Sequence, residues 1–379
     1  MPTSSFTREE WQESLNATRE TYMKEVVKTA QRKRLIMALL KRRGKFKYNQ
    51  SGTDLTWILE KKQTNPRQLG DGGPVQFSRK TLHKQATIGW RQYEDNDMLT
   101  YRNEKQNTGT DALVKLGAQK LKQLGEAMKS YLNQQLFIDG YASGNEQAIH
   151  GLESFFGTGT TVAADIIAQP SDTYATISTV LGDEGGAWSA DLPTSPNANL
   201  ANDWPYGSPS GHHSGTHYDY FSPKIWNWSS TGWGTGGVTW EDNCLAVIRN
   251  AITVQRRLNG EEGKTDLFLC DDRMNVDLKD ALEPRLRTQT GHKEAQNLGF
   301  EATVNYEGVA IDTDFNIPVN TGYGLSLDQM EFCTQTNDLF DSFGPQWELT
   351  HMAYLFLTTF LGNVKYQSPK YFWKTKNVA

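Results

Sequence analysis

Cysteine is scarce in this sequence: Cys244, Cys270 and Cys333 are the only three in 379 residues. They are odd in number, far apart and without metal-ligand spacing. That excludes a disulfide framework or a zinc ribbon and predicts reduced thiols. Long hydrophobic runs are missing too. The longest strongly apolar run, Leu35 to Leu40, has six residues, far short of the ~20 that a membrane-spanning helix needs. No charged-then-apolar segment opens the chain, so neither a signal peptide nor a membrane partner is expected. Repeats of solenoid period are absent as well. The length suits two or three packed units.

Charge is present but unevenly spread. Residues 1–50 hold twelve Lys/Arg and five Asp/Glu, leaving 27 basic and 39 acidic side chains in the other 329. A basic end on an acidic body predicts an arm that reaches acidic surfaces, either neighbouring copies or nucleic acid. Residues 6–40 carry a helix signal: Thr7 and Glu10 have capping-box spacing, and Phe6 with Trp11 form a hydrophobic staple. Gln31–Lys47 surrounds its apolar run with Lys and Arg, including Arg42 and Arg43, and Gly44 ends it. So basic a helix is expected to need a partner rather than a core of its own.

The strongest periodicity lies in Thr110–Gly140. Leu113, Gly117, Leu121, Leu124, Met128, Leu132 and Leu136 recur at steps of three and four, with Lys115, Lys120, Lys122, Glu126 and Lys129 between them. This predicts one helix roughly 40 Å long with a single apolar stripe and a wet, lysine-rich face. Before it, Leu55, Trp57 and Leu59 alternate with polar residues, as do Ala86, Ile88 and Trp90 within Leu82–Tyr93. Two strands joined by the Gly- and Pro-bearing stretch 62–79 form a long hairpin, which is at best marginally stable unless it lies on another surface.

Beyond the long helix, residues 157–241 are rich in Trp, Gly and Pro and have no helical period. Leu245, Ile248, Ile252 and Leu258 then mark a helix starting at Trp240. Thr265–Cys270 reads as a buried strand and Asn275–Leu286 as a helix ending near Pro284, together a small α/β unit. Thr303–Asp312, Gly324–Thr334, Leu349–Leu361 and Lys365–Lys374 have strand composition. Leu349–Leu361 is apolar on both alternating faces, as a strand buried on both sides would be, for example under the long helix.

Several stretches imitate chemistry without supporting it. Asn259–Thr265 (NGEEGKT) ends like a phosphate loop, but Leu258 stands where the first glycine belongs, and a helix precedes it instead of a strand. His212, His213, His217 and Asp219 lie in a Gly/Ser-rich stretch without the spacing of a helical zinc site. Asp271-Asp272 and Asp312-Thr313-Asp314 read as turn acids at strand ends. No catalytic, cofactor-binding or metal-binding residue is assigned, and the chain is not expected to be an enzyme.

The order of elements is distinctive: basic arm, long hairpin, long helix, α/β unit, strand-rich end. Local stretches add to it, namely His150-Gly151-Leu152 after the long helix, Tyr218–Pro223 leading to Trp240, Tyr306-Glu307-Gly308-Val309 to Pro318, and Gly324-Leu325-Ser326-Leu327. Together they resemble the major capsid protein of tailed bacteriophages, the α+β Hong Kong 97-like coat fold also found in encapsulin shells. The resemblance implies an N-terminal arm (1–50), an extended hairpin loop (51–105), a peripheral domain with the spine helix (106–160), an apical domain (161–330), and peripheral return strands with the C-terminus (331–379).

It further implies a structural subunit that assembles into hexamers and pentamers of an icosahedral shell around double-stranded DNA. Implied partners are other copies, a portal protein, scaffolding and decoration proteins, and packaged DNA bound without sequence preference. The implied location is the virion, assembled in the host cytoplasm. Phe6, Trp11, Arg42, Arg43, Trp57, Trp90, Lys61 and Lys80 are the residues expected between subunits. Some members join Lys and Asn of neighbouring subunits covalently; Lys61, Lys62 and Lys80 lie in or near the loop, but no partner Asn or assisting Glu can be matched. An encapsulin-type compartment is the alternative on the same fold, and a carbohydrate-binding or adhesive protein using residues 188–240 is a third reading.

Overall fold

The computed structural model describes residues 35–60, 83–102, 110–156, 172–180, 221–259, 263–282 and 304–377, with Asp71, Gly73, Phe77, Ile167, Ala168 and Glu184 besides. Its helices are α1 (Leu35–Arg42), α2 (Thr110–Gln135), α3 (Glu153–Phe156), α4 (Trp240–Asn259) and α5 (Asp272–Leu282). The first eight strands are β1 (Phe46–Lys47), β2 (Asp54–Glu60), β3 (His83–Gly89), β4 (Arg91–Thr100), β5 (Ile167–Ala168), β6 (Thr173–Tyr174), β7 (Ile177–Ser178) and β8 (Lys224–Asn227). The rest are β9 (Leu267–Cys270), β10 (Val304–Tyr306), β11 (Val309–Thr313), β12 (Thr321–Leu325), β13 (Met330–Thr334), β14 (Asp341–Glu348), β15 (Ala353–Tyr366) and β16 (Trp373–Lys376).

β15 is the longest strand and organises a five-stranded sheet. β4 pairs antiparallel along one edge, from Thr100 opposite Ala353 to Arg91 opposite Gly362. β14 and β13 lie end to end along the other edge, and β1 adds in parallel beside β13. Successive side chains of a strand point to opposite faces. Tyr354 and Phe356 therefore share a face, and with Leu99 they meet Leu121 and Leu124 of α2. The doubly apolar strand does lie under the long helix on this face, but it is not buried on both sides, because Leu355, Leu357 and Leu361 on the other face are only half-buried. α2 has 26 residues, about 39 Å, and farther along it Met128 and Leu132 enter the main core.

The second sheet has seven strands in the order β10-β11-β9-β12-β16-β8-β5. β9 shows why its sequence is apolar throughout. Leu267 and Leu269 enter the core shared with the hairpin and the first sheet, while Phe268 and Cys270 face the core under α4 and α5. Trp240 ties the two helices by donating its indole N–H to the Met274 carbonyl at 2.9 Å. On β12, Gly322 and Gly324 leave room for Phe268 and Trp373 from the flanking strands, which stack at 5.0 Å and 11°.

Four expectations are corrected. The apolar end of the arm does not wait for a partner: all six residues Leu35–Leu40 are buried, and five of them, all but Ala38, join the main core with Phe46 and Phe332. A helix that is apolar all round is driven inside whatever the charge of its flanks. The hairpin likewise has a surface of its own, since Leu55, Ala86 and Ile88 join that core and Trp57, Leu59 and Trp90 pack against it. The lysine face of the spine is wet only in part: Lys122 is exposed, but Lys129 is 1 % exposed and pairs with Glu126 at 2.9 Å, and Lys120 pairs with Asp97 at 2.6 Å.

Finally, three stretches read as single strands are divided. Leu82–Tyr93 splits at Trp90 between the hairpin and the five-stranded sheet. Thr303–Asp312 contains a turn at Glu307-Gly308, both at positive φ. Gly324–Thr334 crosses from one sheet to the other through a 3-10 turn at Leu327–Gln329. The last strand, β16, lies between β12 and β8 in the seven-stranded sheet.

Candidate functional site

Among the described residues, no group of three or more His, Cys, Asp or Glu side chains is placed to hold a metal. No helix there is long and apolar enough to cross a membrane. The three thiols are buried and free. Burial pushes Cys244 up to about 11 and Cys333 up to about 12, so neither is a ready nucleophile. Asn259–Thr265 joins the end of α4 to β9, the helix-to-strand order that a phosphate loop does not have. Of the acids at 271–272 and 312–314, Asp271 accepts the Asn320 amide, Asp272 opens α5, and Asp314 accepts the Asn316 amide and the Asn133 side chain.

The residues expected between subunits are placed as follows. Phe6, Trp11, Lys61 and Lys80 lie outside the described residues, as do His212, His213, His217 and Asp219. Arg42 is exposed at the end of α1. Arg43 turns inward, 2.9 Å from Asp266 and 3.3 Å from Asp328. Trp57 donates its indole N–H to the Gln367 carbonyl at 3.0 Å and Trp90 to the Gly52 carbonyl at 3.0 Å, so both polar ends are used within the chain. Leu121, Leu124, Met128 and Leu132 are all buried along α2, whereas the Leu113 side chain is outside the description.

Buried charge ties α3 to the seven-stranded sheet. On α3, Glu153 receives Lys374 of β16 at 2.5 and 2.6 Å and also accepts the Tyr323 hydroxyl of β12. The Lys374 ammonium sits over the Phe156 and Tyr323 rings at 5.9 and 5.7 Å, a desolvated site in which removing one partner is costly.

What sequence periodicity missed is the exposed apolar surface at one end of the five-stranded sheet. Leu349, which is 81 % exposed, and Met352 flank the β14–β15 turn, and Tyr101 donates its amide to the Met352 carbonyl at 2.9 Å. Met98 stands opposite Leu355 and Phe343 opposite Leu357, and directly opposed residues of an antiparallel pair share a face. Met98 and Phe343, both exposed, thus lie on the face of Leu355 and Leu357, with exposed Leu349 and Met352 at the turn beyond, while Tyr101 packs edge-on against Trp347 on the α2 side. Isolated apolar side chains at a surface are ordinary, but a contiguous group marks a contact area. Alternation along β14 could have revealed it, had Gly344-Pro345 not disguised the strand.

No family profile matches the chain, and no curated protein sequence does. Solved structures do. A chain of the cyanophage A-1(L) capsid asymmetric unit matches with a TM-score of 0.52 at 13 % identity, over 88 % of this chain and 90 % of that one. A chain of the capsid of a native GTA particle matches with a TM-score of 0.50 at 10 % identity, over 90 % of each. The chain therefore has the mixed α+β fold of these capsid subunits over about nine-tenths of its length.

Proposed function

We propose that the chain is the major capsid subunit of a tailed bacteriophage, a structural protein rather than an enzyme. Copies form the hexamers and pentamers of an icosahedral shell around double-stranded DNA, in the Hong Kong 97-like manner. In this reading residues 1–50 are the arm, 51–105 the extended loop, 106–160 and 331–379 the peripheral part, and 161–330 the apical part. A portal protein completes the shell, with scaffolding and decoration proteins as further partners.

The observation that carries the reading is the fold likeness to two capsid chains over about nine-tenths of the length of each. The exposed apolar group around Leu349 and Met352 supports it, because a shell subunit must keep such surface for its neighbours. Electron microscopy of the expressed full-length chain tests it. Uniform closed particles are expected, and a species that stays monomeric at high concentration would refute it.

A further inference from the structure

The segment following the long helix turns back and is tied to three elements at once. Ile149 donates its amide to the Tyr93 hydroxyl of β4 at 2.6 Å, and that hydroxyl donates to Gln135 of α2 at 3.1 Å. His150 donates its amide to the Asn363 side chain of β15 at 3.0 Å, and Leu152 donates to the Leu136 carbonyl at 2.8 Å. Arg91 of β4 reaches the Ala148 carbonyl at 3.1 Å. Gly151 is pressed so closely on the end of α2 that a Cβ there would lie 2.5 Å from the Gln135 and Ile138 carbonyl oxygens.

His150 sits inside this knot, 2 % exposed, with its ring stacked on Tyr141 at 4.2 Å. Its Nδ1 is buried without a hydrogen-bond partner and faces Gly140, where a Cβ would be 2.6 Å away. The groups around the ring are Arg91 from β4, Tyr141 from the turn after α2, and Tyr174 from β6. Asp139 and Asp172 act on Tyr141 from its other surroundings, and Glu153 is engaged by Lys374 and Tyr323. Among the described residues, no carboxylate bonds the imidazole. The site thus suits a neutral ring and gives a charged one only a cation nearby.

We infer that residues 148–152 form a proton-operated latch, in which protonation of His150 frees the segment from α2, β4 and β15. The inference rests on the fold and stands whether or not the chain builds a shell. Burial, and then Arg91, lower His150 from its ordinary 6.5 to about 4. The open segment therefore binds a proton more readily than the closed one. The latch is fully closed above the ordinary histidine pKa, and its hold weakens as pH falls toward 4. Between pH 7 and pH 4.5 the closed-to-open ratio falls on the order of fiftyfold.

Hydrogen–deuterium exchange on the purified full-length chain, with labelling times corrected for the intrinsic pH dependence, tests this. Protection of a peptide holding the 149, 150 and 152 amides should drop about fiftyfold from pH 7 to pH 4.5, while a peptide within α4 keeps its protection. His150→Phe, which keeps a ring against Tyr141 but takes no proton, should abolish the pH dependence. Unchanged protection in the wild type, or the same drop in His150→Phe, would overturn the latch. Exchange of the imidazole C2 hydrogen in the wild type gives a readout that needs no variant. A midpoint below pH 5 is expected, and one near the ordinary histidine value would overturn the proposal.

Discussion

Gly324→Ala adds one methyl group at the centre of the seven-stranded sheet. The new Cβ would lie 2.0 Å from both Cε2 and Nε1 of Trp373, far inside contact distance, so the indole must leave its place. Leaving costs the stack on Phe268 at 5.0 Å, about 1 kcal/mol beyond burial. It also breaks the bond from the Trp373 indole N–H to the Thr265 hydroxyl at 3.0 Å, and a buried donor left unpaired costs about 1–3 kcal/mol. Overpacking of neighbours adds about 1–3 kcal/mol, so a loss of roughly 3–7 kcal/mol is expected. Denaturant unfolding followed by tryptophan fluorescence measures it. The decisive comparison is a cycle with Trp373→Leu: because the clash is with that one ring, the alanine should cost far less in the leucine background. Full additivity, or a single variant within about 0.5 kcal/mol of wild type, would refute the reasoning.

Other perturbations separate buried charge from solvated charge. Lys129→Glu sets a second carboxylate beside Glu126 at a position 1 % exposed and should cost more than about 3 kcal/mol. Lys122→Glu, on the exposed side of the same helix, should stay within about 0.5 kcal/mol; thermal melts and soluble yield compare them, and equal behaviour would contradict the placement of Lys129. Glu153→Gln strips the carboxylate from Lys374, itself 8 % exposed, and should destabilise by about 3 kcal/mol, with a melt unchanged from wild type counting against the network. The thiols should be silent at pH 8: with burial raising Cys244 to about 11, only about one part in a thousand is thiolate. A chromogenic disulfide reagent should therefore read all three only after unfolding, and rapid reaction of the native chain would refute their burial.

The elements most legible in the sequence are those whose burial is one-sided or complete. The 3–4 spacing from Leu121 to Leu132 located α2 and its buried stripe, and Leu245, Ile248 and Ile252 located α4. The unbroken apolar Leu267–Cys270 located a strand with cores on both sides. Less legible is where a strand changes partners. Ser326 to Gln329 looks like continuous strand, yet it carries the chain between sheets. Glu307-Gly308 turns a hairpin without the Asn-Gly or Asp-Gly signal. Spacing also says nothing of what lies opposite, which is why Lys129 reads as solvated and Leu35–Leu40 as an arm seeking company. The candidate contact surface was hidden for a related reason: it is assembled from β4, β14 and β15, three strands whose exposed residues meet only through register.

The arrangement around β15 has a mechanical consequence. A strand gripped along one edge by ten residue pairs of β4, and along the other by β14 and then β13, cannot be peeled away one bond at a time by a pull along its own axis. Such a pull loads the bonds together, in shear. In the shell proposed above, tension in the plane of the wall that runs along this strand would be shared by the whole ladder, whereas a force perpendicular to it would meet the bonds singly. The resistance of the subunit to stretching is then directional, and the heading of β15 within the wall would set the direction in which that wall is stiffest.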